Sequence, residues 1–214
     1  MTESADTPAA AVTGWKRATI HAIDLPTPRT LTLTLLVPDK TEHLAGQHYV
    51  VRLTAPDGYT AQRSYSVASS PAEPYVELGV ELIEDGEVSG YLGEIAVVGD
   101  QLEVRGPIGR WFVWGGDRRA VAIGGGSGVV PLVAMLRHAH DIGHPELLHL
   151  AVSARRPEDL MFHDELAAAA DVVAYTRPGP PDSAARSRAI GRLSDQDLTP
   201  VSYTHLTLPT NREV

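Results

Sequence analysis

From Trp15 to about Arg105, apolar and polar residues alternate in short runs at the period of a β-strand. Trp15 to Asp24 is the first run, ended by Pro26 and Pro28. Arg29 to Val37 sets Leu31, Leu33 and Leu35 on one face and Thr30, Thr32 and Thr34 on the other, and Pro38-Asp39 closes it. Gln47 to Ala55 follows Gly46, and Pro56-Asp57-Gly58 is a turn signal before the run Ala61 to Pro71. Tyr75 to Ile83 sets Val76, Leu78, Val80 and Leu82 on one face, and Gln101 to Arg105 is a last short run. About six such strands predict an antiparallel sandwich or a closed barrel, which would leave no exposed edge. Asp85 to Ile95 interrupts them as a turn feeding a short helix, with Ser89 as the expected N-cap. A helix start with a hydroxyl and a glycine suits an anion; an ordinary capped connector fits the same residues.

The pattern changes at Asp117-Arg118-Arg119. The strand Ala120 to Ile123 leads into Gly124-Gly125-Gly126-Ser127-Gly128-Val129-Val130-Pro131 and a helix predicted over Pro131 to His140. Glu146 to Ser153 is the next strand, Pro157 to Ala170 the next helix, and Asp171 to Thr176 the next strand. Alternation of this kind with short connections predicts a parallel sheet. The expected fold class is therefore two domains: an antiparallel six-stranded β-barrel over 13–116, then an incomplete α/β parallel-sheet nucleotide-binding domain over 117–200, divided near Gly115-Gly116-Asp117. Residues 1–12 are expected to be disordered. Arg177 to Ser187 reads as a loop, and Gly191-Arg192-Leu193-Ser194 as the start of a further element. Residues 201–214 match the translation of a sequencing-library adapter and are set aside from fold reasoning. A native reading frame encoding that tail would overturn this view.

Composition narrows the function classes. The 214 residues carry a net charge of -9, which argues against a nucleic-acid footprint. The absence of cysteine excludes disulfides, Cys-ligated zinc and Cys-ligated iron–sulfur clusters in this chain. With no apolar run of membrane-spanning length and no signal-peptide pattern, the cytoplasm is the expected compartment. The nine histidines show no metal-ligand spacing, and Gly126-Ser127-Gly128 is not a hydrolase elbow.

The candidate chemistry lies elsewhere. Arg63-Ser64-Tyr65-Ser66 places Arg63 and Tyr65 on one face of a strand and Ser64 and Ser66 on the other. Arginine offers a fork for phosphate, tyrosine a flat face for a ring, and serine a small donor or acceptor. Read alone, the pattern equally suits an edge strand with a polar face. The loop Gly124, Gly125, Gly126, Ser127, Gly128 lets a pyrophosphate approach backbone amides at a helix start, although it is neither the spaced dinucleotide fingerprint nor a Walker loop. Tight packing is the competing reason for these glycines. Ser153-Ala154-Arg155-Arg156 ends the second parallel strand, where arginine favours a 2′-phosphate and an acid favours a free 2′-hydroxyl. With no acid before Glu158, the reading leans toward NADP over NAD; a solvated basic loop is the alternative.

In order, Arg63-x-Tyr65-Ser66, Gly86-x-x-Ser89, Gly106-Pro107-x-Gly109 and Gly124 to Pro131 resemble the motifs of the ferredoxin–NADP reductase superfamily, over about Thr13 to Thr199. The resemblance implies FAD and NAD(P)H as cofactors, with a hydride passed from NAD(P)H to FAD. Electrons then go to a separate acceptor protein: a ferredoxin, a haem enzyme or a molybdenum enzyme. It implies Arg63 at the flavin pyrophosphate, Tyr65 against the isoalloxazine and Ser66 near the hydride-accepting N5, so that Tyr65 and Ser66 are the candidate catalytic pair. Gly86, Val88 and Ser89 would hold the pyrophosphate. The glycine loop would hold the nicotinamide nucleotide, with Ser127 where many relatives carry threonine, and Ser153 and Arg155 would face the 2′ position. Relatives usually carry a Cys-Gly motif on a late strand, which this chain lacks. A flavin-binding fragment or regulatory module without NAD(P)H turnover is the alternative, and a siderophore-interacting reductase of the same fold a third.

Overall fold

A computed structural model describes residues 14–177. The expectations for 1–12, for the loop beyond Arg177, for the element at Gly191 and for the tail 201–214 lie outside the described residues. Six strands, β1 (Lys16–Thr27), β2 (Thr30–Leu36), β3 (His48–Thr54), β4 (Thr60–Ser66), β5 (Val76–Glu81) and β6 (Gln101–Ile108), form one antiparallel sheet in the order β4-β3-β6-β1-β2-β5. Leu31, Leu33 and Leu35 are fully buried with Val76, Leu78 and Val80 of the paired β5, as the alternation predicts. Each such buried leucine contributes ~2 kcal/mol.

The expected closed wall does not form. The end strands β4 and β5 are joined by a bridge between Val67 and Leu78, and otherwise leave a gap. The two strands touch just after Ser66, where the Ala68 amide also donates to the Glu77 carbonyl at 2.7 Å, and splay apart along Arg63 to Ser66, which face Gly79 and Glu81 across the gap. The helix α1 (Glu87–Glu94) covers one end of the sheet with Val88 and Leu92. Its N-cap is Gly86, which corrects the expectation for Ser89. Ser89 lies inside the first turn, and its buried Oγ accepts from the Ile83 amide at 3.2 Å.

The second unit is a parallel sheet, β7 (Ala120–Gly125), β8 (Leu148–Ala154) and β9 (Val172–Tyr175), in that order. After β7 comes a 3-10 turn, Gly126–Val129, that runs directly into α2 (Val130–Asp141). A 3-10 turn over Pro145–Leu147 delays β8 to Leu148. The helix expected over Pro157 to Ala170 is broken: a 3-10 turn at Pro157–Asp159 and then α3 (His163–Ala169), with Phe162 at φ 55 between them. Among the described residues no helix is long and apolar enough to cross a membrane.

The other face of β5 meets the second unit. Glu77 accepts from Arg137 Nη1 at 2.5 Å, and Glu81 accepts from Ser127 Oγ at 2.8 Å. Between them Gly79 is buried; a Cβ there would fall 2.4 Å from Val130 Cγ2. Val130 is a β-branched helix residue with little rotamer freedom, so this close approach requires glycine.

His43 lies beneath the same seam, fully buried, with Nε2 3.0 Å from the Ser69 carbonyl and Nδ1 unpartnered among the described residues. Burial pushes its pKa below the usual value; the Ser69 hydrogen bond opposes this and Lys40 adds to it. The folded pKa of this base is depressed, so folding excludes its proton. Its full contribution to stability is present above the unfolded value of about 6.5 and is lost as pH falls from there toward the folded value. We expect His43→Gln to show a shallower acid-side loss of stability than wild type in urea titrations from pH 7.5 to 5. Identical slopes would refute this assignment.

Candidate functional site

The gap between β4 and β5 is a cleft of about 530 Å³. Its walls are Arg63, Ser64, Tyr65 and Ser66 of β4, Gly79 and Glu81 of β5, the turn Ile83 to Gly86 with the start of α1, and Ser127 with Gly128 of the glycine loop. Three of the four motif segments thus meet in one concavity, with β5 as a further wall; Gly106-Pro107-x-Gly109 lies outside it. The edge position of β4 explains how Arg63 can serve it. Arg63 lies opposite Val51 on the apolar face, yet its side chain is exposed because no strand follows beside it. Its Nη1 donates to the Gln62 carbonyl at 2.8 Å, leaving the rest of the guanidinium fork open. Two residues on, Tyr65 is buried opposite Tyr49 and shows one side to the cleft.

The turn before α1 packs tightly on itself at Gly86. A Cβ on Gly86 would fall 2.3 Å from Ser89 Oγ and 2.9 Å from the Ile83 carbonyl oxygen. Ser89 therefore shapes this turn by holding Ile83, and Val88 points its side chain into the core. What α1 can present is backbone amide hydrogens at its first turn.

A second pocket, of about 340 Å³, is lined by Gly125, Gly126, Ser127, Ser153 and Arg155, together with Arg29, Asp159 and Thr176. Gly124 belongs to neither concavity; it is packed so that a Cβ would meet Leu132 Cδ1 at 2.8 Å, which is the packing role for glycine. Arg156 pairs with Glu158 at 3.5 Å and does not line the pocket, whereas Asp159 does. Sequence reasoning missed Arg29, Glu81 and Asp159. The signal for Glu81 was present in the Glu77, Gly79, Glu81 alternation, but nothing local distinguishes that face from a solvated one. Glu81 and Ser127 line both concavities and hydrogen-bond at their junction.

A larger concavity, about 770 Å³, lies on the other side of α1 beside Arg52, Tyr59 and Tyr91. It contains none of the residues singled out from the sequence.

Residues 22–113 match the family model described as an oxidoreductase FAD-binding domain. A solved cytochrome P450 reductase from Amycolatopsis superposes with a TM-score of 0.70 at 25% identity, over 92% of this chain and 61% of that one. Over residues 22–113 the chain matches an oxidoreductase FAD-binding domain, and its fold is similar to that of the ferredoxin–NADP reductase superfamily. A ferredoxin NADP+ reductase from Neisseria gonorrhoeae, solved with bound FAD and NADP, shares the fold at a TM-score of 0.73 and 23% identity, over 90% of this chain and 81% of that one. Among curated proteins, the chain is 40% identical over 113 residues to a glycine betaine monooxygenase reductase subunit from Chromohalobacter salexigens, covering 51% of this chain and 30% of that protein. It is 32% identical over 152 residues to the reductase component of propane 2-monooxygenase from Gordonia, covering 69% and 43%. The chain thus spans less than half the length of these two curated relatives.

The cleft suits the flavin of such a family on its own geometry. It offers an open arginine fork, two serine hydroxyls, helix-start amides and a tyrosine ring at the wall.

Proposed function

We propose that this chain is the flavin-holding part of an NAD(P)H-dependent reductase that passes electrons to a separate acceptor protein. The observation that carries this reading is the junction. A cleft fitted to a flavin and a glycine-loop pocket fitted to a dinucleotide share Glu81 and Ser127 as a common wall. Bound FAD would supply acceptance of a hydride and release of single electrons. The chain's own residues would bind and orient. Arg63 and the amides of Val88 and Ser89, just after Gly86, would hold the pyrophosphate, Tyr65 would cover one ring face, and Ser64 and Ser66 would offer hydroxyls to the ring edge. Gly125, Gly126, Ser127 and Gly128 would admit the nicotinamide nucleotide, with Gly124 packing the turn. Ser153 and Arg155 would face the adenosine 2′ position. Arg29 joins Arg155 there and Asp159 opposes them, so NADP is favoured over NAD by a small margin.

The curated relatives are named as reductase parts of monooxygenases, which supports an oxygenase component or a ferredoxin as acceptor. We assign the barrel to 13–116, the nucleotide unit to 117–200 and the compartment to the cytoplasm. A second reading is a flavin-binding module without turnover; the family match, residues 22–113, covers the flavin-binding part alone.

Purified protein is expected to be yellow, with its flavin absorbance bleached by anaerobic NADPH or NADH. Yellow protein that neither nucleotide bleaches selects the second reading. Colourless protein that cannot be reconstituted with FAD refutes both.

A further inference from the structure

We propose that Glu81 is a positioning residue that latches the nucleotide pocket, exchanging Ser127 for Arg29 when a dinucleotide enters. The inference rests on the reading of the glycine loop as the nucleotide site. Ser127 Oγ donates to Glu81 Oε2 at 2.8 Å, and this pair stands on the wall shared by the pocket and the cleft. A dinucleotide that reaches from Arg155 to the β4 cleft has to pass it. Its pyrophosphate requires the donor that the carboxylate occupies, and two anions at about 4 Å repel by ~1 kcal/mol even in water and by several in a drier site. The carboxylate therefore leaves Ser127.

The backbone of Glu81 stays in place, because β5 is paired there with Thr30 and the next amide, Leu82 N, donates to the Arg29 carbonyl at 2.8 Å. Only the exposed side chain has to turn. Arg29 is its neighbour across that ladder. The Arg29 side chain lines the same pocket and makes no ion pair among the described residues. It is the available counter-charge for the displaced carboxylate. The other charged groups facing the pocket are Arg155 and Asp159.

The experiment titrates the full chain and its variants with NADP+ and NAD+ by isothermal titration calorimetry. Adenosine 2′-monophosphate and adenosine, which carry no 5′-phosphate, serve as probes that do not reach the Ser127–Glu81 pair. Glu81→Gln is expected to bind the dinucleotides about 5–10-fold tighter, from loss of the like charge, with 2′-monophosphate affinity unchanged. Arg29→Ala, read with NAD+ because NAD+ has no 2′-phosphate for Arg29 to meet, is expected to weaken binding in the wild-type background and to have a smaller effect in the Glu81→Gln background, a coupling that simple misfolding does not produce. Unchanged or weaker dinucleotide binding by Glu81→Gln, with 2′-monophosphate binding intact, refutes the latch. Equal losses from Arg29→Ala in both backgrounds refute the exchange. If wild type binds neither the dinucleotides nor the 2′-monophosphate, the glycine-loop reading itself falls and the latch with it.

Discussion

Replacing Arg137 with alanine is expected to lower folding stability by about 3 kcal/mol, seen as a drop of roughly 6–12 °C in the melting midpoint. Arg137 is the cation at the centre of the seam between the two sheets. From α2 its Nη1 donates to Glu77 at 2.5 Å and to the Ala68 carbonyl at 3.1 Å, and its Nε and Nη2 donate to Glu165 of α3 at 2.9 and 2.6 Å. Its guanidinium also lies 5.3 Å from the centre of the Phe162 ring. Removing it leaves Glu77, only 15% exposed, without its partner. The loss of that desolvated pair outweighs the small value of an exposed ion pair.

Burial alone would lower the pKa of Arg137, but the hydrogen bonds and charges of Glu165 and Glu77 more than offset it, so the folded value stands above the ordinary one. A base whose folded pKa is raised contributes fully at every pH below its unfolded value. For arginine that covers all working conditions, so the destabilisation should be constant from about pH 6 to 9. Arg137→Lys retains one charge contact but not the fork and should fall between the two. A loss in Arg137→Ala below about 1 kcal/mol in urea titrations would show that the seam is held by packing around Gly79 and Val130 instead.

Arg63→Ala is expected to weaken FAD binding about 10–100-fold, the value of ~1.5–3 kcal/mol for charge-assisted hydrogen bonds to phosphate. The fold should be unaffected, since the side chain is exposed and its observed hydrogen bond goes to the adjacent Gln62 carbonyl. Flavin fluorescence quenching can compare FAD, FMN and riboflavin. Because riboflavin carries no phosphate, its affinity should be the same in both proteins, and Arg63→Lys should recover part of the FAD affinity. An equal loss for riboflavin would mean that Arg63 acts by shaping β4 and not by reaching phosphate.

Much of the barrel was legible because strand periodicity is a local property. Leu31, Leu33 and Leu35 alternate with threonines whatever the strand packs against, and they are fully buried. Element ends were less legible. Pro145 and Pro157 read as positions before or at the start of a regular element, yet each opens a 3-10 turn that shortens it. Ser89 looks like an N-cap by composition. Its place was decided by Gly86, whose lack of a Cβ lets the Ser89 hydroxyl fold back onto Ile83.

By itself the sequence determined the strand faces, the β-α-β order and the four motif segments, because each depends on side-chain types a few residues apart. Only the tertiary structure decided where the sheet stays open, and that opening between β4 and β5 is the candidate flavin cleft. It also decided that Glu77, Gly79 and Glu81 face Arg137, Val130 and Ser127. Such partners lie 46 to 60 residues away in the chain, and a polar face carries the same local pattern whether water or another sheet's helix satisfies it.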